Sequence, residues 1–161
     1  MKKSLVISRI LVGLSVLVIF VFLFAALVAP RDSNPRAANE LFAVSSLRRI
    51  LFSNDVYAER HPQQGYVRNL NALAKRPANV NSGEDPDWMI DSVLASGEKA
   101  GYKFTYTSQS TKGDGKIDAF QVTADPLTPG KTGSHHFFVD QTGVIRLSKD
   151  GPADSSSDVL Q

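Results

Sequence analysis

An apolar run from Ile10 to Ala29 constrains this chain more than any other feature. Gly13 and Ser15 are its only interruptions. At 1.5 Å per residue, about twenty helical residues match the roughly 30 Å hydrocarbon core of a bilayer. A helix buried in a soluble core shows polar positions at helical spacing, and this run has none. Lys2, Lys3 and Arg9 precede it, and Pro30 and Arg31 close it. The expectation is a transmembrane anchor over residues 1–30. A cleaved signal peptide is the competing reading, but the run exceeds the usual apolar stretch of about 7–15 residues. Its small-residue end, Ala25 to Ala29, also runs straight into Pro30. The absence of cysteine removes a lipidated anchor. The cation bias toward Lys2, Lys3 and Arg9, against Arg31 and Arg36 with Asp32, places the N-terminus in the cytoplasm. A single-pass protein of the bacterial inner membrane is expected, in contact with the lipid bilayer, its domain periplasmic or extracellular.

The chain has 161 residues. Without the anchor, about 130 remain, enough for one modest core and too few for two. Lysine and arginine number 18 against 16 aspartate and glutamate. Near balance argues against nucleic acid as a partner, since such proteins gather cations into a patch. Without cysteine there are no disulfides, thiolate metal sites or thiol nucleophiles.

Beyond the anchor the pattern predicts an α+β domain over residues 31–147. A helix runs from Arg36 to about Arg60, with Asn34 as its cap and Pro35 in its first turn. Leu41, Val44, Leu47 and Leu51 form its apolar stripe, read as the core face. Asp85-Pro86-Asp87-Trp88 opens a short helix that ends before Gly97. Tyr102, Phe104 and Tyr106 alternate with Lys103, Thr105 and Thr107, the period of a half-buried strand. Ile117–Ala124 returns after the loop Lys112–Lys116. His135–Val139 and Gly143–Leu147 make a second hairpin. The expected architecture is an amphipathic helix packed on an antiparallel sheet of about four strands. Residues 148–161, polar and with three consecutive serines, are expected to be a disordered tail.

Two stretches resemble the type IV pilin and type II secretion pseudopilin superfamily. One is Arg36-Ala37-Ala38-Asn39-Glu40 followed by Val44-Ser45-Ser46-Leu47-Arg48. The other runs from Ile90–Gly97 through Gly101–Tyr106, Thr123–Pro126, Pro129-Gly130, Thr132-Gly133, His136–Asp140 and Gly143–Arg146. The resemblance implies a pilin-like fold, a membrane-proximal helix, and partners among other pilin-like or secretion-system proteins. The anchor departs from that pattern. Pilins are cut between Gly and Phe or Met and carry Glu at the fifth position of the mature chain. Here Gly13 precedes Leu14, the fifth position from there is Val18, and the first glutamate is Glu40. A carboxylate within lipid persists only where something needs it, so its absence points to tethering without polymerisation.

Chemistry-bearing constellations are few. His135 and His136 are adjacent, so on a strand they point to opposite faces and do not share a metal in regular geometry. Asp114 and Asp118 flank Gly115, and a hairpin turn accounts for them. Because some pseudopilins bind calcium in the β half, they are also the two ligands to test for that ion. Asp85, Asp87 and Asp91 suit a helix start. There is no Gly-x-Ser-x-Gly elbow, phosphate loop or dinucleotide fingerprint. No catalytic or cofactor-binding residue is assigned. The expected function is that of a non-enzymatic, membrane-anchored, pilin-like envelope protein with a structural or interaction role. The alternatives are a pseudopilin or minor pilin subunit, and an envelope enzyme.

Overall fold

A computed structural model of the protein describes residues 35–74 and 90–161. The expected anchor, Asn34, and the stretch holding Asp85, Asp87 and Trp88 lie outside the described residues. Residues Asn34–Gln161 form one compact unit. No helix among the described residues is long and apolar enough to cross a membrane.

The unit is α+β. Helix α1 spans Pro35–Arg60, α2 Leu70–Ala74 and α3 Ser92–Ala95. Six strands follow: β1 Glu98–Lys99, β2 Tyr102–Gln109, β3 Ala119–Pro126, β4 His136–Asp140, β5 Arg146–Ser148 and β6 Asp158–Val159. Each pairs antiparallel with the next, so the sheet order is the sequence order. Such a meander needs no crossover, and short turns suffice.

Proline at the first helical position costs α1 nothing, because that N–H has no intrahelical partner. The helix stops at Arg60 because His61 precedes Pro62, whose ring disfavours helical backbone in the residue before it. Asn69 and Asp91 cap α2 and α3 by accepting the Ala72 and Leu94 N–H groups. Ala100 and Gly101 both have positive φ, 49° and 74°. That makes a two-residue turn whose twist matches the β1–β2 hairpin it closes.

The expected alternation along β2 is present: Tyr102 and Phe104 are buried, while Lys103 and Thr105 are exposed. Register carries that face across the sheet. Phe104 sits opposite Ala124, Tyr106 opposite Val122, Val122 opposite Val139, and Phe137 opposite Leu147. Helix α1 covers this face with Ala43, Leu47 and Ile50, all fully buried. Burying a side chain the size of Leu or Ile contributes about 1.5–3 kcal/mol.

Three expectations need correcting. The buried side of α1 is Ala43, Ser46, Leu47, Ile50, Ser53 and Asn54, so of the expected stripe Leu47 is buried, and Val44 and Leu51 pack half-buried against the core. Leu41 is 73% exposed. Leu47 and Ile50 face the sheet among the smaller Ala43, Ser46 and Ser53. The sheet has six strands and not about four, because two-residue strands flank the four longer ones. Residues 148–161 are also not a structureless tail. Asp154 accepts hydrogen bonds from the Ser156 N–H and from the Ser156 and Ser157 hydroxyls, folding the serine run into a turn. Arg146 donates to the Ser157 carbonyl at 2.8 Å, and β6 pairs with β5. Ala153 is buried at 3% exposure.

Candidate functional site

The most concentrated polar chemistry lies where α1 begins. Arg36 donates to the Gly130 carbonyl at 3.0 Å, and Asn39 to the Thr132 carbonyl at 2.9 Å. Glu40 takes the Ser134 N–H on one oxygen at 2.6 Å and meets Nδ1 of His135 with the other at 2.9 Å. Three side chains within five residues of helix thus hold the β3–β4 loop. The spacing explains the reach: Arg36, Asn39 and Glu40 are three and four apart and share one side of a helix. Residues 36–40 supply the helix side of this contact and residues 130–135 the loop side.

Burial alone raises the Glu40 carboxyl. Against it work the Ser134 N–H, the His135 hydrogen bond and the His135 charge, and the balance holds Glu40 below the usual carboxylate range. A carboxylate whose folded pKa is depressed stabilises the fold above its unfolded pKa, and that stability is lost as pH falls through the folded value. Glu40→Gln is therefore expected to cost about 1–2 kcal/mol at neutral pH, the scale of a hydrogen bond to a charged group. The penalty shrinks as the medium is acidified below the unfolded glutamate pKa, about 4.3. Urea unfolding of both proteins across that range checks this; a penalty independent of pH refutes the charged clamp.

Tyr102 lies beneath the clamp. It is fully buried, and its hydroxyl donates to the His135 carbonyl at 2.9 Å. Burial first, then the Glu40 and Asp125 charges, push its phenol well above the ordinary value, so it remains a donor. Beside the clamp, a groove of about 750 Å³ runs between α1 and the sheet, with Leu41, Val44, Arg48, Phe137 and Leu147 among its walls.

His135 and His136 form two separate pairs. His135 faces Glu40 on α1, while His136 Nδ1 lies 2.6 Å from Asp125 on β3, whose other oxygen accepts from Thr123. The His61 ring lies tilted against that of Tyr57, with centroids 4.3 Å apart. Asp114 and Asp118 both bond within their own loop. Asp114 accepts the Lys116 N–H, and Asp118 accepts the Thr111 N–H and hydroxyl. Among the described residues, no group of three or more His, Asp or Glu is placed to hold a metal ion. Asp91 caps α3 and pairs with Lys99 at 2.6 Å.

The helical pattern alone does not set Glu40 apart from other polar positions. The available signal was its place beside Asn39 on a helix whose other early residues are mostly apolar, but the partner loop lies more than 90 positions away. No family model matches the chain, and neither a curated protein nor a solved structure does.

Proposed function

We propose that the chain is a non-enzymatic, pilin-like protein tethered to the inner membrane, its α+β domain serving a structural or interaction role in the envelope. The observation that carries this reading is the clamp at the start of α1. The polypeptide enters the domain where Arg36, Asn39 and Glu40 join the helix to the loop of residues 130–135. A domain hung from an anchor through a short connection gains from a pinned entrance, because any pull on the chain is delivered to the sheet and not to a fraying helix end. The order of elements, one long helix followed by an antiparallel meander, is also that of the family the sequence resembles.

N-terminal sequencing of protein recovered from carbonate-washed membranes tests it. Met1 intact in the washed pellet is the expected result. A new terminus at Leu14 identifies a processed pilin-type subunit instead. A terminus near Pro30, or full release by carbonate, overturns the tether.

A further inference from the structure

The chain holds two Asp-Gly steps, Asp114-Gly115 and Asp150-Gly151. Such a step is chemically weak, because glycine puts no side chain in the way of its own nitrogen. That nitrogen can close on the preceding side-chain carboxyl to form a cyclic imide. Closure needs the carboxyl held over the nitrogen and a backbone free to turn. The fold supplies both at Asp114 and withholds both at Asp150.

Asp114 sits in the loop between β2 and β3. One of its carboxyl oxygens accepts the Lys116 N–H, two residues ahead, at 2.9 Å. A carboxyl that reaches that far folds back over the intervening nitrogen, which is that of Gly115. The backbone around it has room. Residues 111–116 are all exposed. Gly113 and Gly115 have φ of 69° and 83°, and a Cβ at either would meet nothing within 4 Å. At Asp150 the residue two ahead is Pro152, which has no N–H to draw the carboxyl forward. The proline ring also fixes its own φ, and the next residue, Ala153, is buried at 3% exposure. Gly151 itself is half-buried.

We propose that Asp114 is a modification site, at which the chain rearranges spontaneously to isoaspartate. The Gly115 nitrogen bonds to Cγ of Asp114, the Cγ–OH bond breaks, and the amide hydrogen leaves with the hydroxyl as water. Water then adds to one of the two imide carbonyls. Opening at the side-chain carbonyl restores aspartate. Opening at the backbone carbonyl leaves the chain running through the side chain, longer by one methylene. No oxidant, cofactor or second protein takes part. The consequence reaches beyond the loop. Arg68 donates to the Gly115 carbonyl at 3.0 Å. Two residues on, the Ile117 N–H donates to the Gln64 carbonyl, and the Ile117 carbonyl accepts the Tyr66 N–H, each at 2.9 Å. A methylene inserted after position 114 pulls on this seam, so ageing loosens the hold of the loop on residues 64–68. The inference stands independently of the tether.

The test is to keep the full chain warm for weeks in detergent micelles and mildly acidic buffer. Isoaspartate is counted with an isoaspartyl methyltransferase and radiolabelled S-adenosylmethionine. Electron-transfer fragmentation of chymotryptic peptides assigns it to a position. Asp114 is expected to accumulate at least about tenfold more than Asp150, a modest return for a carboxyl already held in place. Lys116→Pro gives the loop the same Asp-Gly-Pro order as residues 150–152. In that variant the yield at Asp114 is expected to fall about fivefold, with circular dichroism and the yield at Asp150 unchanged. Should the variant misfold, the ratio of the two sites in the native chain still decides. Equal yields at the two steps overturn the proposal, because the dipeptide alone then sets the chemistry. An intact aspartate at position 114 overturns it as well, and so does a yield there that Lys116→Pro, correctly folded, leaves untouched.

Discussion

Gly133→Ala is expected to destabilise the domain by about 3–4 kcal/mol, counting overpacking of a filled core and loss of one buried hydrogen bond. A Cβ at position 133 would overlap the Tyr102 hydroxyl and stand 2.8 Å from Cε2 of the same ring. The hydroxyl is the far end of a side chain, yet it has nowhere to go. Tyr102 is 0% exposed, its ring lies 5.9 Å from that of Phe137, and its hydroxyl is committed to the His135 carbonyl. Displacing it also shifts the strand that presents His135 to Glu40. Thermal unfolding should show a midpoint lower by about 10 °C or more. Tyr102→Phe removes the atom that the new methyl strikes first, at a cost of about 1 kcal/mol for the lost bond. The double variant should therefore be less destabilised than the sum of the two single changes, a coupling that neighbouring sites show and distant ones do not. Strict additivity would mean that the glycine is needed for some reason other than room for the tyrosine.

Asn54→Ala is expected to cost about 3 kcal/mol, combining a cavity with a buried donor left without its acceptor. Asn54 is fully buried on α1. Its side-chain oxygen accepts the Val67 N–H at 3.3 Å and stands 3.2 Å from the Tyr106 hydroxyl, which also donates to the Val67 carbonyl at 2.9 Å. One asparagine thereby ties the segment after α1 to both the helix and β2. The same residue keeps its own amide nitrogen without a partner, as does the hydroxyl of Ser53. That offsets part of the gain, and the cost of removing the residue stays short of the largest core truncations. Amide exchange separates the contributions. Loss of the acceptor should speed exchange at Val67 far more than at Leu47, which is equally buried but bonded within the helix. If Val67 exchange is unchanged while stability falls, the cavity alone accounts for the loss.

Where the chain repeats a simple period, its structure was readable in advance. Tyr102, Phe104 and Tyr106 alternate with polar neighbours, and only a half-buried strand satisfies that pattern. The limits of α1 were equally plain, since Pro35 and Pro62 bracket it. Its orientation was plain only in part. Leu41, Leu47, Phe52 and Ile50 leave apolar groups on two sides; the expected stripe meets the core through Leu47, Val44 and Leu51, while Leu41 lies outside it. The side that packs sets Leu47 and Ile50 among Ala43, Ser46, Ser53 and Asn54, and a pattern weighted by hydrophobicity does not register the polar members Ser46, Ser53 and Asn54. The end of the chain misled for a different reason. Ser155, Ser156 and Ser157 have the composition of disorder, but the Ser156 amide and the Ser156 and Ser157 hydroxyls close on Asp154, and that local geometry is invisible to composition. The clamp was least legible, because its two halves are far apart in sequence and neither is unusual alone.

The two outermost strands hold only two residues each, Glu98–Lys99 on one rim and Asp158–Val159 on the other. Free rims of a sheet are templates on which further strands grow, and short, charged rims blunt that growth. Along Glu98–Lys99 and Asp158–Val159 themselves, an added strand would find only two residues' worth of backbone to grip.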